Sequence, residues 1–227
     1  MRYLYLLFIL CCFNCNNERV LELPEIENTE ITEVLDVSPA YIFYDETQTD
    51  STLLNRKNLI ITTNWLVNVD KRLTLKQALP HIKFLQDKKR NAEMHKNEEA
   101  KNYFTCNDTA IENLGFIEFT DIFYKDENPD FMNYTMKQPG NYILLKYHSD
   151  NSISISVSYE DTRLKVIEKE RLDNSDTLKK QLIDLKPKTL LLFFDTNMSF
   201  QDYISAKSQL LKLDLDTITI SPDEFMY

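Results

Sequence analysis

Thr189-Leu190-Leu191-Leu192-Phe193-Phe194-Asp195-Thr196-Asn197-Met198-Ser199-Phe200-Gln201-Asp202-Tyr203 changes its period halfway along. Thr189–Phe194 is a continuous apolar run of strand length, the pattern of a central strand covered on both faces. Asp195–Met198 is a loop. Ser199 then offers a hydroxyl to a free first-turn amide. Phe200, Tyr203, Ile204, Lys207, Leu210 and Leu211 mark one side of a helix that should run to about Leu213.

The same order occurs earlier in the chain. Val69-Asp70-Lys71-Arg72-Leu73-Thr74-Leu75-Lys76-Gln77-Ala78-Leu79 can be laid over Phe194-Asp195-Thr196-Asn197-Met198-Ser199-Phe200-Gln201-Asp202-Tyr203-Ile204. Both read as strand, Asp, two polar residues, an apolar residue, a hydroxyl cap, an apolar residue and an amphipathic helix. A repeat of this kind decides architecture. It predicts two related α+β units in tandem. The competing reading is convergence of two independent junctions, because Asp, Ser and Thr are favoured at such turns. Each helix should be followed by a strand, Ile117 to Tyr124 in the first half and Ile218 to Tyr227 in the second. The first helix carries Leu75, Leu79, Ile82 and Leu85 behind a Thr74 cap. Pro80 inside it predicts a kink or a later start.

Outward from these anchors, Ala40–Tyr44 and Asn58–Val69 read as strands, the second either one long strand or a pair. Asp87 to Lys101 reads as a solvated helix or a loop, and Phe116–Tyr124 as a strand. Asn141–His148, the turn Ser149-Asp150-Asn151 and Ser152–Tyr159 form a hairpin. Its second strand alternates Ile153, Ile155 and Val157 against Ser152, Ser154, Ser156 and Ser158. A helix over Ser175 to Leu185 and a last strand over Asp216–Ser221 complete the second half. The predicted class is α+β, small mixed sheets with helices on one face. The expected boundaries are a leader over 1–14, an acidic tether over 15–37, one unit over 38–128, a linker over 129–140 and a second unit over 141–227.

Composition removes several function classes. Net charge is -10, from 36 acidic and 26 basic residues, against the basic face that nucleic acid requires. Gly115 and Gly140 are the only glycines. A phosphate-binding loop, a dinucleotide fingerprint and a nucleophile elbow each need clustered glycine, so none can be built. Hydrophobic residues make up 43% of the chain, enough for a substantial core.

The first residues carry an address. Met1-Arg2 precedes an apolar run, Tyr3 to Phe13, and then Asn14-Cys15-Asn16-Asn17-Glu18. The run is too short for a membrane span, which needs about twenty apolar residues, and fits an export leader. The cysteine at the switch predicts cleavage before Cys15 and lipidation of its thiol. Cys12 is the alternative acceptor, since Cys12-Phe13-Asn14 departs from the usual small-residue pattern. Arg19 stands alone among Glu18, Glu22, Glu25, Glu27 and Glu30, so the sequence shows no polybasic membrane patch.

The stretch Thr189–Tyr203, with the hairpin over Asn141–Tyr159, resembles the periplasmic domain of the ExbD/TolR biopolymer-transport family. There a hydrophobic strand ends in a short Asp-containing loop and a helix follows. The resemblance covers roughly the last 85 residues, from Asn141 to Tyr227. It implies a periplasmic recognition domain. Family members also carry an N-terminal membrane helix with a proton-carrying aspartate. Tyr3–Phe13 holds no acid, so that role does not transfer.

Chemical candidates are sparse. His81, His95 and His148 show no zinc spacing. Cys106 is the one body cysteine and reads as a small buried apolar residue. Asp70 and Asp195, equivalent in the repeat, read as loop or cap groups, with acid–base work as the alternative. Asp45, Glu46 and Asp50 lack the ligand alternation and glycine of a calcium loop. Trp65 and most of the tyrosines read as core, while Tyr41, Tyr44, Tyr124 and Tyr227 lie near strand ends. The sequence therefore predicts a non-enzymatic, lipid-anchored envelope protein without metal or cofactor. It would bind an envelope protein or cell-wall partner, in the setting of energy-coupled transport. The alternative is an exported hydrolase whose site gathers dispersed Asp, His and Tyr residues.

Overall fold

A computed structural model describes residues 19–94, 97–126, 142–158, 164–170, 175–185, 189–213 and 218–227. Two mixed sheets and three helices make up the described fold, an α+β architecture. The strands are β1 Glu25–Ile26, β2 Val37–Tyr44, β3 Thr52–Asn55, β4 Asn64–Val69, β5 Asn102–Asp108, β6 Asn113–Glu118, β7 Phe123–Asp126, β8 Tyr142–Tyr147, β9 Ile153–Ser158, β10 Leu164–Glu170, β11 Thr189–Phe194 and β12 Thr219–Met226. The helices are α1 Leu75–Arg90, α2 Ser175–Leu185 and α3 Phe200–Leu211.

The first sheet runs β1-β5-β4-β2-β3, with β6 also paired to β5; the second runs β10-β9-β8-β11-β12-β7. Their centres match strand for strand. In each, a hairpin (β2/β3 or β8/β9) is followed by a parallel strand (β4 or β11), a capped helix (α1 or α3) and a further parallel strand (β5 or β12). The echo read from the sequence fixes the correspondence at Val69 and Phe194. Register obeys it, since Ile42 pairs with Val69 and Tyr147 with Phe194.

The repeated loops have the same hydrogen bonds. Asp70 N–H donates to the Ile42 carbonyl and Asp195 N–H to that of Tyr147, both at 3.0 Å. Asp70 Oδ1 accepts from Arg72 N–H at 3.1 Å, and Asp195 Oδ1 from Asn197 N–H at 2.8 Å. Thr74 Oγ1 caps Gln77 N–H, and Ser199 Oγ caps Asp202 N–H. The Gln77 side chain also accepts from Thr74 N–H at 2.9 Å, a complete capping box that starts α1 well ahead of Pro80.

These two loops also bind each other. Leu75 N–H donates to the Met198 carbonyl at 3.0 Å, and its counterpart Phe200 N–H to the Leu73 carbonyl at 2.6 Å. Lys76 N–H reaches the Thr196 carbonyl, and its counterpart Gln201 N–H that of Lys71. Every bond from one copy is answered from the other, as about a two-fold axis between Thr74 and Ser199. First-turn amides that a lone helix leaves to water are thereby satisfied by the sister unit.

One core spans both sheets. Ile42, Val67, Val69, Leu75, Ile82, Leu85 and Phe104 from the first unit pack in the same cluster as Leu145, Leu192, Phe194, Phe200, Tyr203 and Ile204 from the second. Phe104 meets Phe200 and Tyr203 edge-on at 5.3 and 6.3 Å between ring centres. Leu178 and Leu182 bring α2 into that core.

Several expectations are corrected. The strand after α1 is β5, and the stretch Phe116–Tyr124 divides between β6 and β7. β7 leaves the first sheet altogether and pairs in parallel with β12. The second sheet thus recruits residues upstream of 129, and the boundary at 128 falls after a strand of the second sheet. Asn58–Val69 contributes only β4, because β3 ends at Asn55 and a turn intervenes. β12 continues through Pro222, where the sequence predicted an end at Ser221. The ladder to β11 jumps from Leu190–Ile220 to Leu192–Glu224, so the residue without an N–H sits in a bulge. The expected tether over 15–37 is in part folded: β1 pairs with β5, and Ile26 is buried. The leader, Cys12, Cys15 and the linker over 129–140 lie outside the described residues.

Candidate functional site

An open groove lies between α3 and the segment Glu25–Ile31. Two adjoining hollows of about 390 and 280 Å³ share Ile26, Ser208 and Lys212 in their walls. The groove is apolar at Ile26, Ile31, Phe116 and Leu211, and Leu211 is 59% exposed. Glu25, Glu27, Glu30 and Glu118 form an acidic rim. Lys71 pairs with Glu25 at 2.7 Å and Lys101 with Glu118 at 2.8 Å. Among the described residues, Glu27 and Glu30 have no cation partner. Lys212 is the basic residue on the opposite wall.

A buried carboxylate builds this rim. Asp108 is fully buried and accepts from the N–H groups of Thr29 at 2.7 Å, Asn28 at 3.1 Å and Ala110 at 3.0 Å. Burial pushes its carboxyl up, but those donors outweigh burial and hold it below the usual range. Asn28 takes a positive φ of 51° in the turn so formed. Gly115 on β6 leaves the room: a Cβ there would stand 2.6 Å from Thr29 Cγ2 and 3.0 Å from Ile26 Cδ1. The Gln201 side chain joins α3 to β1, donating to the Glu25 carbonyl and accepting from its N–H.

Two charged groups of the second unit satisfy each other inside the fold. Glu224, on β12, is fully buried and pairs with Lys207 of α3. Tyr203 donates its hydroxyl to Glu224 Oε2 at 2.8 Å, and Tyr124 of β7 lies 3.3 Å from Tyr203 Oη. Burial, with the Glu224 charge second, raises both phenols well above their ordinary value. Lys207 therefore sits on the apolar helix stripe because it has a buried partner, which the stripe alone did not reveal.

Asp70 and Asp195 both serve their loops. Asp70 is buried and gripped by Arg72 at 2.8 and 2.6 Å. Burial raises its carboxyl, and the Arg72 bonds bring it below the usual range. Asp195 also accepts from Ser149 N–H at 3.3 Å. Cys106 is buried, and burial pushes its thiol far up, away from reactivity. His81 bonds Thr52 Oγ1 at 2.8 Å; His95 lies outside the described residues. Trp65 is buried, with its indole N–H on the Ile60 carbonyl at 2.7 Å. Asp45 and Asp50 accept from Thr47 and Thr52 N–H in turns, and Tyr44 bonds Glu46. Among the described residues no three His, Cys, Asp or Glu side chains could share a metal ion.

Two residues singled out separately do meet. His148 Nδ1 lies 2.8 Å from Tyr227 Oη, and His148 Nε2 lies 2.7 Å from Ser154 Oγ. Tyr227 Oη–H donates to the Tyr147 carbonyl at 3.1 Å. Lys146 pairs with Ser154 across the hairpin and holds its ammonium 4.8 Å from the Tyr227 ring centre. The alternation of β9 had put Ser154 on the polar face, but the approach of Tyr227, 79 residues after His148, carries no local signal. The groove was equally hidden, since its walls come from segments distant in sequence.

Comparison with protein-family models returns no match, and comparison with curated proteins returns none.

Proposed function

We propose that the chain is a lipid-anchored cell-envelope protein whose folded body is a binding or scaffold module in energy-coupled biopolymer transport. The observation that carries the binding role is the groove, an apolar floor under an acidic rim in which Glu27 and Glu30 have no cation partner among the described residues. A protein partner presenting an apolar side chain and a basic flank complements it. The groove is a surface channel, and the groups best suited to acid–base work, Asp70, Asp195 and Glu224, are committed to holding loops and helices. The likeness of the second unit to the ExbD/TolR periplasmic domain supports an envelope setting, as does the expected lipid at Cys15.

A photo-crosslinking residue in place of Leu211 tests this in intact envelopes. The expected result is one dominant crosslinked protein or wall fragment, lost with Glu27→Lys and Glu30→Lys together. A crosslinking pattern that does not respond to the two charge reversals would overturn the groove's role.

The alternative is an exported hydrolase, favoured by the Ser154–His148–Tyr227 chain. If His148 Nδ1–H donates to Tyr227 Oη, Nε2 is left as a base toward Ser154. Covalent labelling at Ser154 by a fluorophosphonate, abolished in His148→Ala, would establish that reading in place of the first.

A further inference from the structure

We propose that the β3 edge of the first sheet, together with Arg19, is the face that lies against an anionic lipid bilayer. This rests on the anchor at Cys15 proposed above. Only three residues, four chain steps, separate Cys15 from Arg19. Even fully extended they reach about 14 Å, at ~3.5 Å per residue. The surface around Arg19 must therefore stay close to the membrane.

That surface has the chemistry of a bilayer interface. Arg19, Arg56 and Lys57 surround a hollow of about 400 Å³ with Leu53, Leu54 and Asn55. Arg56 and Lys57 are exposed, and the Arg56 guanidinium lies 4.8 Å over the ring of Phe84, itself 43% exposed. Arg19 also contacts Asp45 at 3.5 Å. Val20 and Ile60 add exposed aliphatic surface next to these cations in the chain. Cations set among apolar and aromatic side chains suit the headgroup layer.

Charge selects the orientation. The chain carries -10 overall, so most of its surface is repelled by anionic lipid. The sequence shows Arg19 alone among acids, and the fold brings it two partners from the end of β3. Each basic residue near an anionic surface favours contact by about five-fold. Ile31 bridges to Phe116 of β6, so the Glu30 part of the rim lies at the opposite edge of the sheet, beyond β2, β4 and β5. At ~4.8 Å per strand spacing, docking on β3 holds β6 about 19 Å farther away, open to a partner.

The test uses mature full-length protein in vesicles, with lipid on Cys15 verified by intact mass. A fluorophore is placed through Asn58→Cys on the β3 side or Glu30→Cys on the groove rim. Cys106 is buried and stays unlabelled. Spin-labelled headgroups then quench whichever position faces the bilayer. In phosphatidylglycerol-rich vesicles, the residue-58 label should be quenched about two-fold or more above the residue-30 label. In phosphatidylcholine vesicles the difference should shrink to what the short tether alone imposes. Arg56→Gln with Lys57→Gln should lower the docked-to-free ratio about 25-fold, following the same five-fold per charge. Equal quenching at both positions on lipidated protein in anionic vesicles would overturn the docking alone. Absence of lipid on Cys15 would overturn the anchor and the docking with it.

Discussion

Replacing Lys207 with Met should destabilise the whole body, because it strands a carboxylate. Glu224 is fully buried, and its two described partners are the Lys207 ammonium and the Tyr203 hydroxyl at 2.8 Å. Met fills most of the lysine stem's volume, so packing is largely kept and the lost charge dominates. Removing one member of a buried ion pair costs about 3–5 kcal/mol. Removing both is often neutral or stabilising, so Lys207→Met with Glu224→Leu should return to within about 1 kcal/mol of the parent. The difference between the two variants, about 3 kcal/mol, is the cost of the stranded carboxylate and is readable from urea unfolding. Trp65 is the chain's single tryptophan and lies in the first sheet, whereas the mutations lie in the second unit. Because the two units share a core and exchange first-turn hydrogen bonds, Trp65 fluorescence and far-ultraviolet dichroism should shift together. The reasoning fails if the single variant loses under about 1 kcal/mol, if the double variant is no better than the single, or if the Trp65 transition stays while the dichroism moves.

Gly115→Ala should lift the segment around Thr29 off β6, since the new Cβ would stand 2.6 Å from Thr29 Cγ2. The overpacking should cost about 1–3 kcal/mol and speed amide exchange at Asn28 and Thr29; unchanged exchange there would contradict it. Asp108 has a carboxyl held below its ordinary value in the fold, so its stabilisation is complete above about pH 4 and is lost as pH falls through the folded value. Asp108→Ala should therefore be less stable at neutral pH and show a shallower acid decline, measured by urea midpoints across pH. Lys89 is buried, its ammonium donating to the Thr63 and Lys101 carbonyls at 3.1 and 2.8 Å. Burial lowers it to about 8. An unfolded lysine titrates near ~10.4, so the charge penalty is full below about pH 8 and gone above ~10.4. The parent should gain stability relative to Lys89→Met across that window, and parallel curves would contradict the assignment.

The strand–cap–helix modules were legible because their signals are local. Thr74 and Ser199 bond the amides three residues on, and the apolar stripe beneath each follows one helical period. The repeat was legible for the same reason, at Asp70 and Asp195. What escaped depends on distant segments. β1 is only two residues long, and it is held by Asp108 and by the space over Gly115, features that no period records. β7 reads like a continuation of β6, yet its partner is β12, about a hundred residues on. Proline normally ends a ladder, so the bulge at Pro222 hid the last part of β12. Of the candidate sites, His148 and Tyr227 were visible singly, whereas their meeting with Ser154 needs the sheet. The groove and the cation cluster at Arg19 are likewise assembled by folding, from residues unremarkable where they stand in the chain.

The anchor can be tested most directly by the intact mass of the mature protein extracted from its own membranes. The account predicts a chain beginning at Cys15, heavier than residues 15–227 by a diacylglyceryl group and an amine-linked acyl chain, and partitioning into detergent. A chain that keeps residues 1–14, or one that begins at Cys15 with a bare thiol, would contradict it.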